Sequence, residues 1–137
     1  MDKLNLAKWM AAVLLGVSAL GCGQGLGSRL EFNGGELYYT SQVTKQEAQK
    51  LGECLVEQDF FDGKEKSVQL DKEGETYVFR AVVKKELQEN IANNATLDPV
   101  FKFIALGMSV NVFGGSPVEI HLCDGSFKTL RVISMEK

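Results

Sequence analysis

The chain has 137 residues, 45% of them hydrophobic, and a formal charge of −3 from 15 Lys and Arg against 18 Asp and Glu. That length fits a single domain able to bury its own core. The mildly acidic balance, with no long basic run, argues against nucleic acid as a main partner.

The first residues carry an address. Met1–Lys8 is short and polar, with Lys3 and Lys8 outweighing Asp2. Trp9–Leu20 is an apolar run of about a dozen residues, too short to span ~30 Å of hydrocarbon as a helix. A basic start, a short apolar core and small residues at the exit have the anatomy of an export signal. Ala19-Leu20-Gly21-Cys22 then resembles the lipobox of bacterial lipoprotein precursors, with Ala19 and Leu20 exchanged relative to the usual order.

That resemblance implies cleavage before Cys22 and acylation of its sulfur. The protein would then be lipid-anchored in the bacterial cell envelope, in the outer membrane if the host is Gram-negative. It divides the chain into a signal peptide (1–21), a lipidated Cys22 with a flexible tether (22–29) and one α+β domain (30–137). Removing residues 1–21, whose side chains sum to +1, leaves a charge of −4.

Past the Gly-rich tether, Arg29–Thr40 reads as two extended pieces around Asn33-Gly34-Gly35, or as a loop feeding one strand. Asn-Gly favours the tight turn, because both central residues of a type I′ turn need φ > 0. Val43–Phe61 is predicted helical, opened by a Thr44/Glu47 capping box and stopped at Asp62-Gly63. Ser67–Leu70 and Thr76–Lys84 are predicted strands around a charged loop. Glu86–Thr96 is polar, rich in Asn and assigned to no element. A second helix follows, with Asp98 as its cap and Pro99 in its first turn. Its buried side is predicted to be Val100, Phe103, Ile104, Gly107, Met108 and Val110. Val118–Cys123 and Lys128–Ile133 are the last two strands.

A shift of 52 positions overlays the two halves: Thr44 on Thr96, Leu51 on Phe103, Phe61-Asp62-Gly63 on Phe113-Gly114-Gly115. The expected fold is therefore an α+β two-layer sandwich, an antiparallel sheet with two helices on one face, built from a duplicated helix–strand–strand unit. The topology is similar to that of BON domains, by analogy alone.

Alternation assigns the faces. Val68, Leu70, Phe79, Ala81, Ile120, Leu122, Leu130 and Val132 should meet the helices. Gln69, Val78, Arg80, Val82, Glu119, His121, Cys123, Thr129 and Arg131 should form the other face, with Tyr38 or Tyr39. Valines, arginines and a histidine on a flat surface favour a protein partner or a second copy. Partner-binding residues are accordingly expected at Val78, Arg80, Val82, His121, Cys123 and Arg131.

Cys54 and Cys123 fall on opposite sides of the sheet, which argues against a disulfide between them. No P-loop, GxSxG elbow or HExxH helix is present. The function expected is a non-catalytic binding module, without cofactor or metal, at a membrane. The alternatives are a small enzyme or metal protein centred on His121 and Cys123, or a secreted inhibitor or immunity-type protein.

Overall fold

The computed structural model describes residues 26–135. The predicted export signal and lipobox, with Cys22, lie outside the described residues. Six strands and three helices follow one another as β1 (Ser28–Phe32), β2 (Gly35–Tyr39), α1 (Lys45–Glu57), β3 (Ser67–Glu73), β4 (Thr76–Val82), α2 (Lys85–Asn93), α3 (Asp98–Asn111), β5 (Val118–Cys123) and β6 (Thr129–Ser134). The strands form one sheet in chain order.

β1 and β2 are a hairpin whose turn residues, Asn33 (φ 45°) and Gly34 (φ 89°), are both left-handed, as Asn-Gly predicts. α1 begins as predicted. Thr44 accepts from the Glu47 amide at 3.0 Å, and the Glu47 carboxylate accepts from the Thr44 amide at 2.9 Å. Ala48, Leu51, Gly52 and Leu55 form its buried face. Gly52 is required there, because a Cβ would lie 2.1 Å from the Phe32 ring, which stacks on Phe61.

The expectation of an antiparallel sheet is corrected. β2 pairs parallel with β3, and β4 parallel with β5. Each pair is joined through helix, which returns the chain to its starting end, so neighbouring strands on either side of it must run the same way. The remaining pairs are antiparallel, and the sheet is mixed.

There are three helices where two were expected. α2 forms from the polar Glu86–Thr96 stretch, held by the single buried residue Ile91. Leu87 and Ile91 stand one helical turn apart, but only Ile91 is fully buried, and two large apolar residues in a polar, Asn-rich stretch are a short signal.

A single apolar cluster joins α1, α2 and α3 to one side of the sheet. It includes Leu51, Val68, Leu70, Phe79, Ile91, Ala105, Met108, Ile120, Leu122 and Ile133. The predicted inward residues of β3, β4 and β5 are there; those of β6 are not. An irregularity between Leu122 and Cys123 pairs Cys123 with Thr129 and Leu122 with Arg131, so Leu130 is the extra residue. One extra residue inverts every later side chain. Ile133 is thus buried and Val132 is exposed.

The buried side of α3 is also corrected. Ala105, Met108 and Ser109 are buried and Phe101 is packed on the core, whereas Val100, Phe103, Ile104 and Val110 are exposed. The segment is apolar on all sides, so periodicity could not choose the face. Leu97, not Asp98, is its cap; Asp98 is the first helical residue.

Candidate functional site: the second face of the sheet

The face away from the core is organised by register. Arg29, Tyr38, Gln69, Arg80, His121 and Val132 lie opposite one another across all six strands. Val82, Cys123 and Thr129 form a second row, and Asp71, Val78 and Glu119 a third. Val78, Arg80, Val82, His121 and Cys123 are therefore brought together as the alternation predicted.

Arg131 is not among them, and its place on this face is withdrawn. The bulge turns it to the helix side, where its Nε and Nη2 each donate at 2.8 Å to the Asp98 carboxylate. This fork fixes the start of α3 on β6. The hydrogen bonds from Arg131 hold the Asp98 carboxyl below its ordinary value, and the same contact raises Arg131.

The polar side chains on the second face satisfy one another. Arg80 donates to Gln69 Oε1 at 2.7 Å and to Asp71 at 3.3 Å, and Thr40 donates to Asp71 at 2.7 Å. Burial pushes the Asp71 carboxyl up, but the bonds from Thr40, the Lys72 amide and Arg80 outweigh it, and its pKa is lowered. Gln69 donates to the Leu26 carbonyl at 3.0 Å, drawing the chain before β1 across the face. Tyr38 and Ser67 both donate to Glu36, which also receives Arg29.

His121 is held by Glu119 at Nε2 (3.1 Å) and by Thr129 at Nδ1 (3.3 Å). Cys123 is fully buried, and its Sγ lies 3.5 Å from the His121 carbonyl oxygen and 3.9 Å from the Thr129 hydroxyl. Burial pushes the Cys123 thiol up, favouring the protonated form over a nucleophilic thiolate. Cys54 and Cys123 are both free thiols. Among the described residues, no group of three or more His, Cys, Asp or Glu is arranged to hold a metal ion.

The residues that sequence reasoning missed lie in the β5–β6 connection. Asp124 Oδ1 accepts from the amides of Ser126 (2.9 Å) and Lys128 (3.0 Å), and these bonds lower its pKa. The loop so pinned carries Phe127 at φ 64°, set edge-on to Tyr38 with ring centres 6.2 Å apart. Between this loop and the N-terminal segment lies a cleft of about 550 Å³, lined by Leu26, Tyr38, Ser67, Val82, Gly125, Ser126 and Phe127. The signal was present in the sequence as an aromatic residue inside an Asp-Gly turn.

The molecule is thus a small α+β domain whose mixed six-stranded sheet carries a core on one side and a cross-linked polar face with an aromatic-walled cleft on the other. The chain belongs to the AF_1994_N family: residues 29–134, which take in all six strands except Ser28, match the model of that family's N-terminal domain. No curated protein and no solved structure matches the chain. Among the described residues, no helix is long and apolar enough to cross a membrane.

Proposed function

We propose that the protein is a bacterial lipoprotein, anchored in the cell envelope through acylated Cys22, whose domain is a non-catalytic module binding a protein or other envelope component in the cleft on its second sheet face. The observation that carries this reading is the cleft itself. It combines apolar walls (Leu26, Val82, Phe127), a phenol (Tyr38) and small hydroxyls (Ser67, Ser126), a lining suited to grip an extended partner segment. The paired ions around it leave little charge for a highly charged ligand.

The address supports the same reading. Leu26 forms a wall of the cleft and lies four positions after Cys22, a reach of at most about 14 Å. A lipid on Cys22 would hold the cleft close to the bilayer, so the partner is one found at that surface. As part of this reading, the fold is a two-layer sandwich made from a duplicated helix–strand–strand unit, in the manner of BON domains. The order α1–β3–β4 and α3–β5–β6 supports the duplication.

Two measurements test the proposal. Mass spectrometry of the membrane fraction should find acyl mass on Cys22 and no residues 1–21. A photo-reactive amino acid at Ser126 should capture a partner in those membranes, and Tyr38→Ala with Phe127→Ala should abolish the capture. A full-length chain retaining Met1 in the cytosol would overturn the address. Capture unaltered by the double substitution would remove the cleft.

A further inference from the structure

We infer that α3 is a self-association surface, on which a second copy of this chain packs as an antiparallel, two-fold-related helix. The outer side of α3 carries Val100, Phe103, Ile104, Leu106 and Val110, with Phe103 76%, Val110 64% and Val100 53% exposed. From these exposures, the five side chains present about 500 Å² of apolar surface, near the upper end for the largest patch on a monomer. Covering it on two copies removes at most about 1,000 Å² from water, the least that a specific interface requires, so the rim around α3 must add to it.

The stripe is complementary to itself. Val100 and Val110 are equidistant from residue 105 along the chain, as are Phe103 and Gly107, and Ile104 and Leu106. An antiparallel pair centred there sets Val100 against Val110 and Phe103 against Gly107, the requirement of an isologous contact, while Ile104 and Leu106, on opposite flanks of the helix, border the seam. The most exposed side chain, Phe103, then falls on the partner's Gly107. That glycine is a notch: a Cβ built on it meets nothing within 4 Å. A large knob and an empty position, placed symmetrically, let the helices approach within the usual 8–10 Å of packed helices.

Charge permits the pairing. Lys102 is the only charged residue between Pro99 and Val112. It is level with the partner's Met108, and the two lysines are about 9 Å apart along the axis. Asp98 is already engaged by Arg131. The contact uses the opposite side of the domain from the cleft, so it does not compete with a ligand there.

Sedimentation equilibrium of the purified full chain tests the inference, with circular dichroism as the check on folding. The wild-type chain should form a dimer. Phe103→Glu should keep the fold and weaken dimerisation at least tenfold, and Val132→Glu, exposed on the other side of the sheet, should leave it unchanged. Mixing Val100→Cys and Val110→Cys chains should give a disulfide-linked pair in greater yield than either variant alone. A chain monomeric at all concentrations overturns the inference, whether the stripe is then covered by residues 1–25, a membrane or another protein. So does a dimer that survives Phe103→Glu, or one whose cross-links join position 100 to position 100.

Discussion

α1 and α3 each introduce a pair of antiparallel strands, yet they use their surfaces in opposite ways. α1 is apolar on one side, and Ala48, Leu51, Gly52 and Leu55 on that side are all buried. Its other side carries Gln49, Lys50, Glu53 and Glu57 to water. α3 is apolar all round; it gives Ala105 and Met108 to the core and leaves a second stripe uncovered. The burial of a helix is decided by where the chain attaches it. For α3 the attachments are the Arg131–Asp98 fork at its start and the Ser109 hydroxyl, which donates to the Ser116 carbonyl at 2.6 Å near its end. These two contacts set the rotation of a helix whose side-chain pattern leaves it undetermined.

The contrast is sharpest in the large side chains. Leu51→Ala should lower the unfolding free energy by about 2–5 kcal/mol, because Leu51 is fully buried and its loss leaves a cavity. Phe103→Ala should change it by less than about 0.5 kcal/mol in the monomer, measured by urea unfolding at low protein concentration. Equal losses at the two positions would mean that the outer stripe belongs to the folding core.

The two helical glycines give the next largest effect, and here the sign differs. Gly52→Ala drives a Cβ into the Phe32 ring and should destabilise by about 1–3 kcal/mol. Gly107→Ala enters open space and should stabilise the monomer by about 0.5–1 kcal/mol through helix propensity. The same substitution fills the notch for Phe103, so dimerisation should fall while monomer stability rises. If both properties rose together, the knob-and-notch contact would be lost.

The helix starts come next. Thr44→Ala removes half of the capping box of α1 and should cost about 1 kcal/mol in thermal or urea unfolding. α3 has no side-chain cap, and Leu97 holds a helical backbone (φ −90°, ψ −1°) in place of the extended one of a capping residue, so Leu97→Asp should change stability by less than about 0.5 kcal/mol. A null result at Thr44 would mean that tertiary contacts alone hold the start of α1.

The smallest effect concerns pH. Arg131 lowers the Asp98 carboxyl below its unfolded value of about 3.9, so the contact stabilises the fold above that value. The stabilisation is lost as pH falls through the lowered, folded pKa. Arg131→Gln should therefore reduce Tm at pH 6 and make its decline between pH 5 and pH 3 shallower. Asp71 and Asp124, lowered by other partners, preserve part of the decline. An unchanged slope would show that the fork contributes nothing.

Features written in neighbouring residues are legible in the sequence. The Thr44/Glu47 box, the Asn33-Gly34 turn and the alternation that set Val78, Arg80, Val82, His121 and Cys123 on one face are of this kind. What escaped depended on distant placement. The parallel pairings arise from where the helices return the chain, and no residue marks them. The position of Arg131 depends on one extra residue, Leu130, in a strand of ordinary composition. α2 has one buried residue, Ile91. The cleft needs the Leu26 segment and Phe127 to meet over Tyr38, three points separated in the chain and joined only by the register of the sheet.

The hydrogen bond from Gln69 to the Leu26 carbonyl has a mechanical consequence. Tension entering through the segment before β1 meets that bond and the Ser28–Tyr39 pair first. The edge hairpin would then unzip from its open end, one rung at a time, before the strain reached Phe32 and the stacked ring of Phe61. A domain pulled from that side would yield at this margin and dismantle one wall of its own cleft, while the central strands stayed shut.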